Sequence, residues 1–264
     1  MNKLAKFFVG ILIVADLMFF SAAFISHRMN KEIKPVPVQI ELKTKPAPTE
    51  STNLTEEQLI ERQIVNCTIQ IGSANGTGTG VVIANDTKKD IAYIITACHV
   101  VGNEKQIAGR QENGDDWIVE DLTTISTDID NDIAILSSKA SWKATAIMPT
   151  EGLTIQRFKQ IFTYGFIGGA SHTGILSSGY VADIHNFQFA FQERMITSAP
   201  VIFGNSGGGM FIKVGNDYVL VGIATGVHFM LHNNMKVIVT HVSIACTKEE
   251  MLDFVKETFK KSNK

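Results

Sequence analysis

Three short segments carry side chains that could together perform acyl-transfer chemistry. In chain order, TACHV contains His99, DNDIAIL contains Asp132, and the glycine-rich GNSGGG contains Ser206. A serine hydroxyl is a poor nucleophile at neutral pH, so it needs an imidazole to take its proton and a carboxylate to orient that imidazole. We therefore expect His99 as general base, Asp132 as orienting acid and Ser206 as nucleophile.

The glycines around Ser206 have a separate role. Because they lack a Cβ, the chain can turn sharply and direct the amides of Gly204 and Ser206 at one point, where a tetrahedral oxyanion would form. Loss of one such donor typically lowers the rate by about 10² to 10³. The sequence therefore predicts an oxyanion hole built from these two amides.

The segment GNSGG also satisfies the G-x-S-x-G pattern of α/β-hydrolases, so an esterase of that fold is an alternative. In that fold the acid and the histidine follow the serine, and the serine begins a helix. Here a histidine and an acid precede Ser206, and the apolar segment Met210 to Val214 indicates a strand. Chain order therefore favours a different fold, although His228, His232 and His241 follow the serine.

Several segments together resemble the chymotrypsin-like, trypsin-fold serine proteases over about residues 60 to 246. Besides TACHV and GNSGG, the resemblance rests on GTGTGVVI at residues 76–83, Tyr164 to Phe166, Ser178 to Val181 and Val221 to Ala224. Asn205 before the serine, and the His-Val-Val run, resemble bacterial glutamyl endopeptidases and high-temperature-requirement proteases. In digestive trypsins an Asp and a Cys occupy the positions of Asn205 and Val100, so activation by insertion of a new N-terminus is not expected.

The resemblance also bears on which acid serves the histidine. Asp128 and Asp130 lie close to Asp132, and a solvated acidic turn is the ordinary role of such a cluster. The family places its acid directly before an apolar strand, and the apolar run Ile133 to Leu136 begins directly after Asp132. This favours Asp132.

The resemblance implies a substrate pocket whose walls lie just before the serine and along a later strand. The residues concerned are Val201, Ile202, Phe203, Gly222, Ile223 and Ala224. None is acidic, so a buried Lys or Arg of a substrate would lack a counter-charge. Glutamyl endopeptidases place a histidine where Ala224 stands, so an acidic preference loses its best donor, though Thr225 or His228 could substitute. We expect cleavage after small to medium aliphatic residues.

The N-terminal region predicts a membrane anchor. The apolar stretch from Phe7 to Ser26, interrupted by Asp16, would span about 30 Å as a helix. Its twelve Leu, Ile, Phe and Val residues favour insertion by about 4 to 7 kcal/mol against about 3 for one central Asp. We expect an uncleaved single-pass anchor in contact with lipid. The alternative is a signal peptide cleaved near Ser21 to Ala23, which would give a secreted protein.

The predicted organisation has three parts: the anchor at residues 1–26, a linker at 27–52 and a protease domain at 53–262. The linker holds four of the six prolines and cannot form a core. Lysine and arginine flank both ends of the anchor, so the side of the membrane stays undetermined. Strands and two capped helices are predicted in the third part. One helix begins at Thr55, with Gln58 completing its capping pattern, and the other runs from Thr247 to Lys260, with Glu250 three residues after its cap. The strands are Cys67–Ile71, Gly80–Ala84, Ala92–Thr96, Trp117–Leu122, Ile133–Leu136, Gln160–Tyr164, Gly179–Ile184, Met195–Ser198, Met210–Val214, Tyr218–Thr225 and Lys236–Ile244.

Composition excludes several other classes of function. A net charge of −2 gives no reason to expect nucleic acid as a partner. Three scattered cysteines indicate neither a disulfide framework nor a zinc site, and no strong motif calls for a cofactor. GTGTG leads into a strand instead of the helix that a dinucleotide site requires.

These features predict an all-β fold of two antiparallel β-barrels with a C-terminal helix. The function expected is that of a membrane-tethered serine endopeptidase acting on protein or peptide substrates, with no metal or cofactor and with an oligomeric state that the sequence leaves open. The rival of another class is a catalytically silent member in which the same fold serves as a binding module.

Overall fold

The structure is a computed structural model that describes residues 54–73, 76–104, 106–113, 116–168, 174–187, 192–232 and 235–261. The predicted anchor at residues 7–26 and the predicted linker at 27–52 lie outside these ranges. Within them, no helix combines the length and apolar character needed to cross a membrane.

The described residues form two closed, six-stranded antiparallel barrels. The first contains β1 (Thr68–Ser73), β2 (Gly76–Asp86), β3 (Ile91–Thr96), β4 (Ile107–Asn113), β5 (Asp116–Asp128) and β6 (Ile133–Ser138). The second contains β7 (Gln160–Phe166), β8 (Gly174–Phe187), β9 (Gln192–Thr197), β10 (Gly209–Val214), β11 (Asp217–His232) and β12 (Met235–Cys246).

The two barrels repeat one strand order. The first runs β1-β2-β3-β6-β5-β4, and the second runs β7-β8-β9-β12-β11-β10 in the same sense. In each case the first strand closes the ring by pairing with the fourth, as β1 does with β4 and β7 with β10. The predicted all-β fold of two antiparallel barrels is confirmed, and the α/β-hydrolase alternative is wrong for the described residues.

Three helices accompany the barrels in the described ranges. Helix α1 (Glu56–Ile60) begins with a capping box between Thr55 and Gln58, and a π-helical turn (Glu61–Val65) continues it. Helix α2 (Cys98–Val101) is a single turn, and α3 (Lys248–Lys261) follows the last strand. The two capped helices predicted from the sequence are therefore confirmed.

The most apolar strands are buried on both faces. In β2, Val82 packs inside the first barrel, whereas its neighbour Val81 packs in a cluster that both barrels share. In β3, Ile94 packs inside the first barrel and Ile95 packs in the shared cluster. Because successive side chains of a strand point to opposite faces, such strands need nearly continuous apolar sequence. The second barrel and α3 contribute to the shared cluster through, for example, Leu220 and Val255. This cluster joins the barrels and includes Ile133, which directly follows Asp132 in the chain.

Candidate active site

His99 and Asp132 lie side by side at the end of the first barrel. His99 Nδ1 is 2.7 Å from Asp132 Oδ2, and the backbone amide of His99 donates to Asp132 Oδ1 at 2.9 Å. Because a carboxylate only accepts hydrogen bonds, Nδ1–H is the donor, and a neutral imidazole then presents Nε2 as an acceptor. The His99 side chain is 48% exposed, so a substrate can reach it.

The backbone explains why Asp132, and not a neighbouring acid, meets the histidine. Asp132 adopts a left-handed conformation with φ of 53°, and its carbonyl accepts from the Cys98 amide at 3.1 Å. Asp128 instead binds the amide and side chain of Asn131. Asp130 contributes its backbone carbonyl to Arg194 Nη2 at 2.9 Å. The structure thus brings Asp132 alone of the three side chains into contact with His99.

His99 lies just beyond the end of a strand. Strand β3 ends at Thr96, and His99 lies in the single helical turn α2. The Cys98 amide donates to the Asp132 carbonyl, which turns the chain out of the sheet. The imidazole is therefore held from both the backbone and the side chain of one residue.

The peptide planes around Ser206 are held by a series of backbone hydrogen bonds. The Gly168 amide donates to the Phe203 carbonyl at 2.8 Å, and the Gly208 amide donates to the Asn205 carbonyl at 2.8 Å. Because a trans peptide directs its N–H opposite to the preceding C=O, these bonds orient the amides of Gly204 and Ser206. Among the described contacts, neither of these two amides has a backbone acceptor. Both amides therefore have a hydrogen that a bound oxygen could accept.

Glycine is required at two positions of this turn. Gly204 and Gly207 have φ of +97° and +84°, a region that L side chains rarely adopt. A Cβ on Gly204 would lie 2.3 Å from the Phe166 carbonyl oxygen. The glycine-rich sequence is thus explained by both conformation and space.

Ser206 approaches the histidine segment through Gly207. A Cβ on Gly207 would lie 2.1 Å from the hydroxyl of Thr96 and 2.9 Å from the amide of Ala97, which immediately precedes α2. Ser206 itself is partly exposed. Within the described ranges no hydrogen bond joins Ser206 to His99. In structures without substrate such bonds are often long and tighten only in the reacting complex.

The residues predicted to wall the substrate pocket divide into two groups. Ile202 and Phe203 are 39% and 74% exposed beside the Ser206 turn. Val201, Ile223 and Ala224 are buried to at least 98%. Gly222 pairs with Met210 in the β10–β11 ladder. The Gly207 amide donates to the Ala224 carbonyl, and the Ala224 amide donates to the Gly208 carbonyl. β11 therefore borders the turn, and the structure leaves Ile202 and Phe203 as the accessible apolar side chains of the set.

Cys98, next to the histidine, offers no rival nucleophile. Burial raises the pKa of its thiol to about 11, with the acidic neighbours Asp132 and Asp128 adding to the effect. A thiol with so high a pKa stays protonated at neutral pH, whereas the thiolate is the reactive form. All three cysteines are unpaired, and Cys67 and Cys246 are buried.

No group of His, Cys, Asp and Glu side chains within the described ranges could hold a metal ion. Sequence reasoning missed two residues that support the turn: Gly168, through its bond to the Phe203 carbonyl, and Thr79, whose hydroxyl donates to the Gly204 carbonyl. Gly168 acts only through its amide, so no side-chain signal exists for it. Thr79 lies in GTGTG, where its single hydroxyl gave the only clue.

Comparison with known proteins identifies the family and supports the fold. The family model of the trypsin-like peptidase domain matches residues 78–223. Among solved structures, the chain is similar to the serine endoprotease from Yersinia pestis, with a TM-score of 0.59 and 17% sequence identity over 78% of this chain and 68% of that chain. At this identity the likeness is one of fold. No curated protein matches the sequence. With more than half of its length matched by the family model, the chain belongs to the trypsin-like peptidase family and is a serine-type peptidase.

Proposed function

We propose that this peptidase is a membrane-tethered serine endopeptidase whose catalytic residues are His99, Asp132 and Ser206. The observation that carries the assignment is the hydrogen bond from His99 Nδ1 to Asp132 Oδ2, at the end of the barrel that faces the Ser206 turn. The fold shared with a serine endoprotease supports cleavage within a chain.

The mechanism follows from the roles of these groups. Ser206 Oγ attacks the carbonyl carbon of the scissile bond while its proton passes to His99 Nε2, and the amides of Gly204 and Ser206 bind the oxyanion. His99 then donates this proton to the leaving amine, the scissile C–N bond breaks, and an acyl-enzyme remains. Water, deprotonated by His99, then releases the acid and regenerates the serine. Asp132 stabilises the imidazolium in both halves.

Labelling with a fluorophosphonate tests this assignment. The wild-type chain should form a bond from Ser206 Oγ to phosphorus with loss of fluoride. Ser206→Ala should abolish the label, and both Ser206→Ala and His99→Ala should lower peptide hydrolysis to the residual level of oxyanion binding, about 10³ to 10⁴ over water. A folded wild-type protein that neither labels nor cleaves would instead establish the silent binding module.

The proposed specificity is for small to medium aliphatic residues before the scissile bond. The pocket walls carry no acid, and Ile202 and Phe203 present apolar surface beside the turn. Burying an unpaired substrate cation there would cost several kcal/mol. A peptide library read by mass spectrometry should yield cuts mainly after Val, Ala or Leu. Dominant cutting after Arg, Lys or Glu would mean that other residues form the pocket.

The tether proposed for this domain is residues 7–26, with residues 27–52 as linker. Its support is the apolar length of the first segment and the proline content of the second. As a flexible coil the linker reaches about 28 Å, so the active site would work close to the membrane surface.

A further inference from the structure

Thr79 is a buried residue of the first barrel that contacts the nucleophile turn of the second at two points. It lies in β2 and is fully buried. Its backbone amide donates to the Ser206 carbonyl at 2.8 Å. Its hydroxyl donates to the Gly204 carbonyl at 2.7 Å.

The direction of the hydroxyl bond is determined by a third partner. The amide of Phe166, at the end of β7, donates to Thr79 Oγ1 at 3.1 Å. A hydroxyl has one hydrogen and two lone pairs. Because a lone pair of Thr79 Oγ1 accepts from the Phe166 amide, the hydroxyl hydrogen is left to donate to the Gly204 carbonyl. Thr79 therefore links the last residue of β7 to the turn through one oxygen atom.

These two bonds fix the peptide planes that flank the oxyanion donors. The Gly204 carbonyl belongs to the plane after the Gly204 amide, and the Ser206 carbonyl belongs to the plane after the Ser206 amide. In each of these two residues, only the α-carbon separates the donor amide from the carbonyl that Thr79 holds. A shift of either plane would move a donor away from the oxyanion position.

Thr79 also connects the turn to the segment that carries the histidine. The hydroxyl of Thr96, at the end of β3, donates to the Thr79 carbonyl at 2.7 Å. Three residues further on is His99. A chain of hydrogen bonds thus runs from the base segment through Thr96 and Thr79 to Gly204 and Ser206.

We propose that Thr79 is a positioning residue that holds the oxyanion donors Gly204 and Ser206 at a set distance from His99. This inference rests on the proposed function, since it presumes that those amides bind the oxyanion. Replacing the hydroxyl by a methyl group of similar size leaves the buried Gly204 carbonyl and Phe166 amide without their partner. The Gly204 carbonyl then shifts to recover a hydrogen bond and displaces the Gly204 donor without removing it, whereas the bond from the Thr79 amide to the Ser206 carbonyl stays in place.

The expected effect lies in the chemical step. Outright loss of a donor lowers kcat by about 10² to 10³, so displacement in Thr79→Val should lower kcat by about 10 to 10². KM should change by less than about threefold, because a ground-state carbonyl depends little on this alignment. Thr79→Ser keeps the hydroxyl and should stay within about threefold of wild type on the same reasoning.

The experiment measures kcat and KM on one peptide substrate and the second-order rate of fluorophosphonate labelling, using the full chain. Thr163→Val is the matched control, because Thr163 is a fully buried threonine of β7 whose hydroxyl has no partner among the described residues. That substitution should leave both rates near wild type. If Thr79→Val does not fold, Thr79→Ala and Thr79→Ser give the comparison, since they differ only by the hydroxyl.

The outcomes separate this inference from the proposed function. A wild-type chain that does not label overturns the proposed function and this inference with it. If the wild type labels, unchanged rates in the variants that lack the hydroxyl overturn the inference alone. So does an equal loss in Thr163→Val, or a rise in KM at constant kcat. A loss of kcat restored by Thr79→Ser supports it.

Discussion

At the scale of single residues, Asp132 combines a side-chain and a backbone role that one substitution can separate. Its carboxylate orients His99, while its left-handed backbone places the carbonyl against Cys98. Asparagine tolerates the left-handed region at least as well as aspartate does. Asp132→Asn should therefore keep the loop and change only the group that faces the imidazole.

Asp132→Asn should lower kcat by about 10⁴ with little change in the denaturation midpoint, because an amide facing Nδ1 favours the tautomer in which Nε2 carries the proton. Asp130→Asn is the control, because Asp130 contacts Arg194 through its backbone carbonyl, which the substitution leaves in place. Steady-state kinetics with urea titrations would check both variants. More than about a tenth of wild-type activity in Asp132→Asn would assign the orienting role elsewhere.

The difference between Asp132 and Thr79 shows what the sequence could predict of the site. A nucleophile, a base and an acid are side chains of distinct chemistry in a required order, and a glycine-rich turn marks the first of them. Thr79 is a common residue type whose role depends on a hydrogen bond to a position 125 residues away. Only the closed barrels bring such distant segments together.

At the scale of elements, the sequence predicted strands best where burial on both faces demands apolar residues. Strand β4 was missed. Its inward positions include Gly109 and Gln111, which hide the apolar alternation. Gln111 is buried because its amide group serves the backbone, donating to the carbonyls of Asn66 and Thr68 and accepting from the Lys143 amide. A polar side chain that satisfies buried backbone groups has no signature in hydropathy.

The N-terminus of α3 supports the loop that carries Asp132. Glu250 accepts from the Thr247 amide at 2.8 Å, and Thr247 Oγ1 accepts from the Glu250 amide at 3.2 Å. Glu250 also pairs with Arg194 at 3.3 Å, and Arg194 in turn donates to the Asp130 carbonyl. One carboxylate thus caps the helix and holds the arginine that contacts the loop.

Glu250→Ala should destabilise the protein by about 1 to 3 kcal/mol, from loss of the cap and of the partner of a largely buried arginine. Glu249→Ala is the control in the same turn, because Glu249 is 61% exposed and its partner Lys248, although buried, keeps its bonds to the carbonyls of Glu151 and Leu153. Loss of this pair should therefore cost no more than about 0.5 kcal/mol. Urea denaturation at pH 7 measures both. Equal losses in the two variants would contradict a special role for Glu250.

At the scale of the whole molecule, the site depends on the junction of two barrels that repeat one strand order. The shared apolar cluster and the hydrogen bonds of Thr79 cross that junction, so the proposed base and the proposed nucleophile come from different barrels yet are held as one unit. This agrees with the tendency of binding sites to lie where two units meet. The proposed tether at residues 7–26 bears on where in the cell the two barrels act.

The proposed tether predicts that the full chain stays in the membrane pellet after an alkaline carbonate wash. The apolar residues of segment 7–26 outweigh Asp16 by only about 1 to 4 kcal/mol. Two further central charges, in Leu12→Arg with Val14→Arg, would add roughly 6 to 8 kcal/mol and reverse the balance. The double variant should move to the supernatant and still label with fluorophosphonate, whereas Asp16→Leu should remain in the pellet.

Intact mass decides between the two N-terminal alternatives. A membrane-bound chain of full length supports the anchor, and a soluble wild-type chain cut near Ala23 would establish a signal peptide in its place.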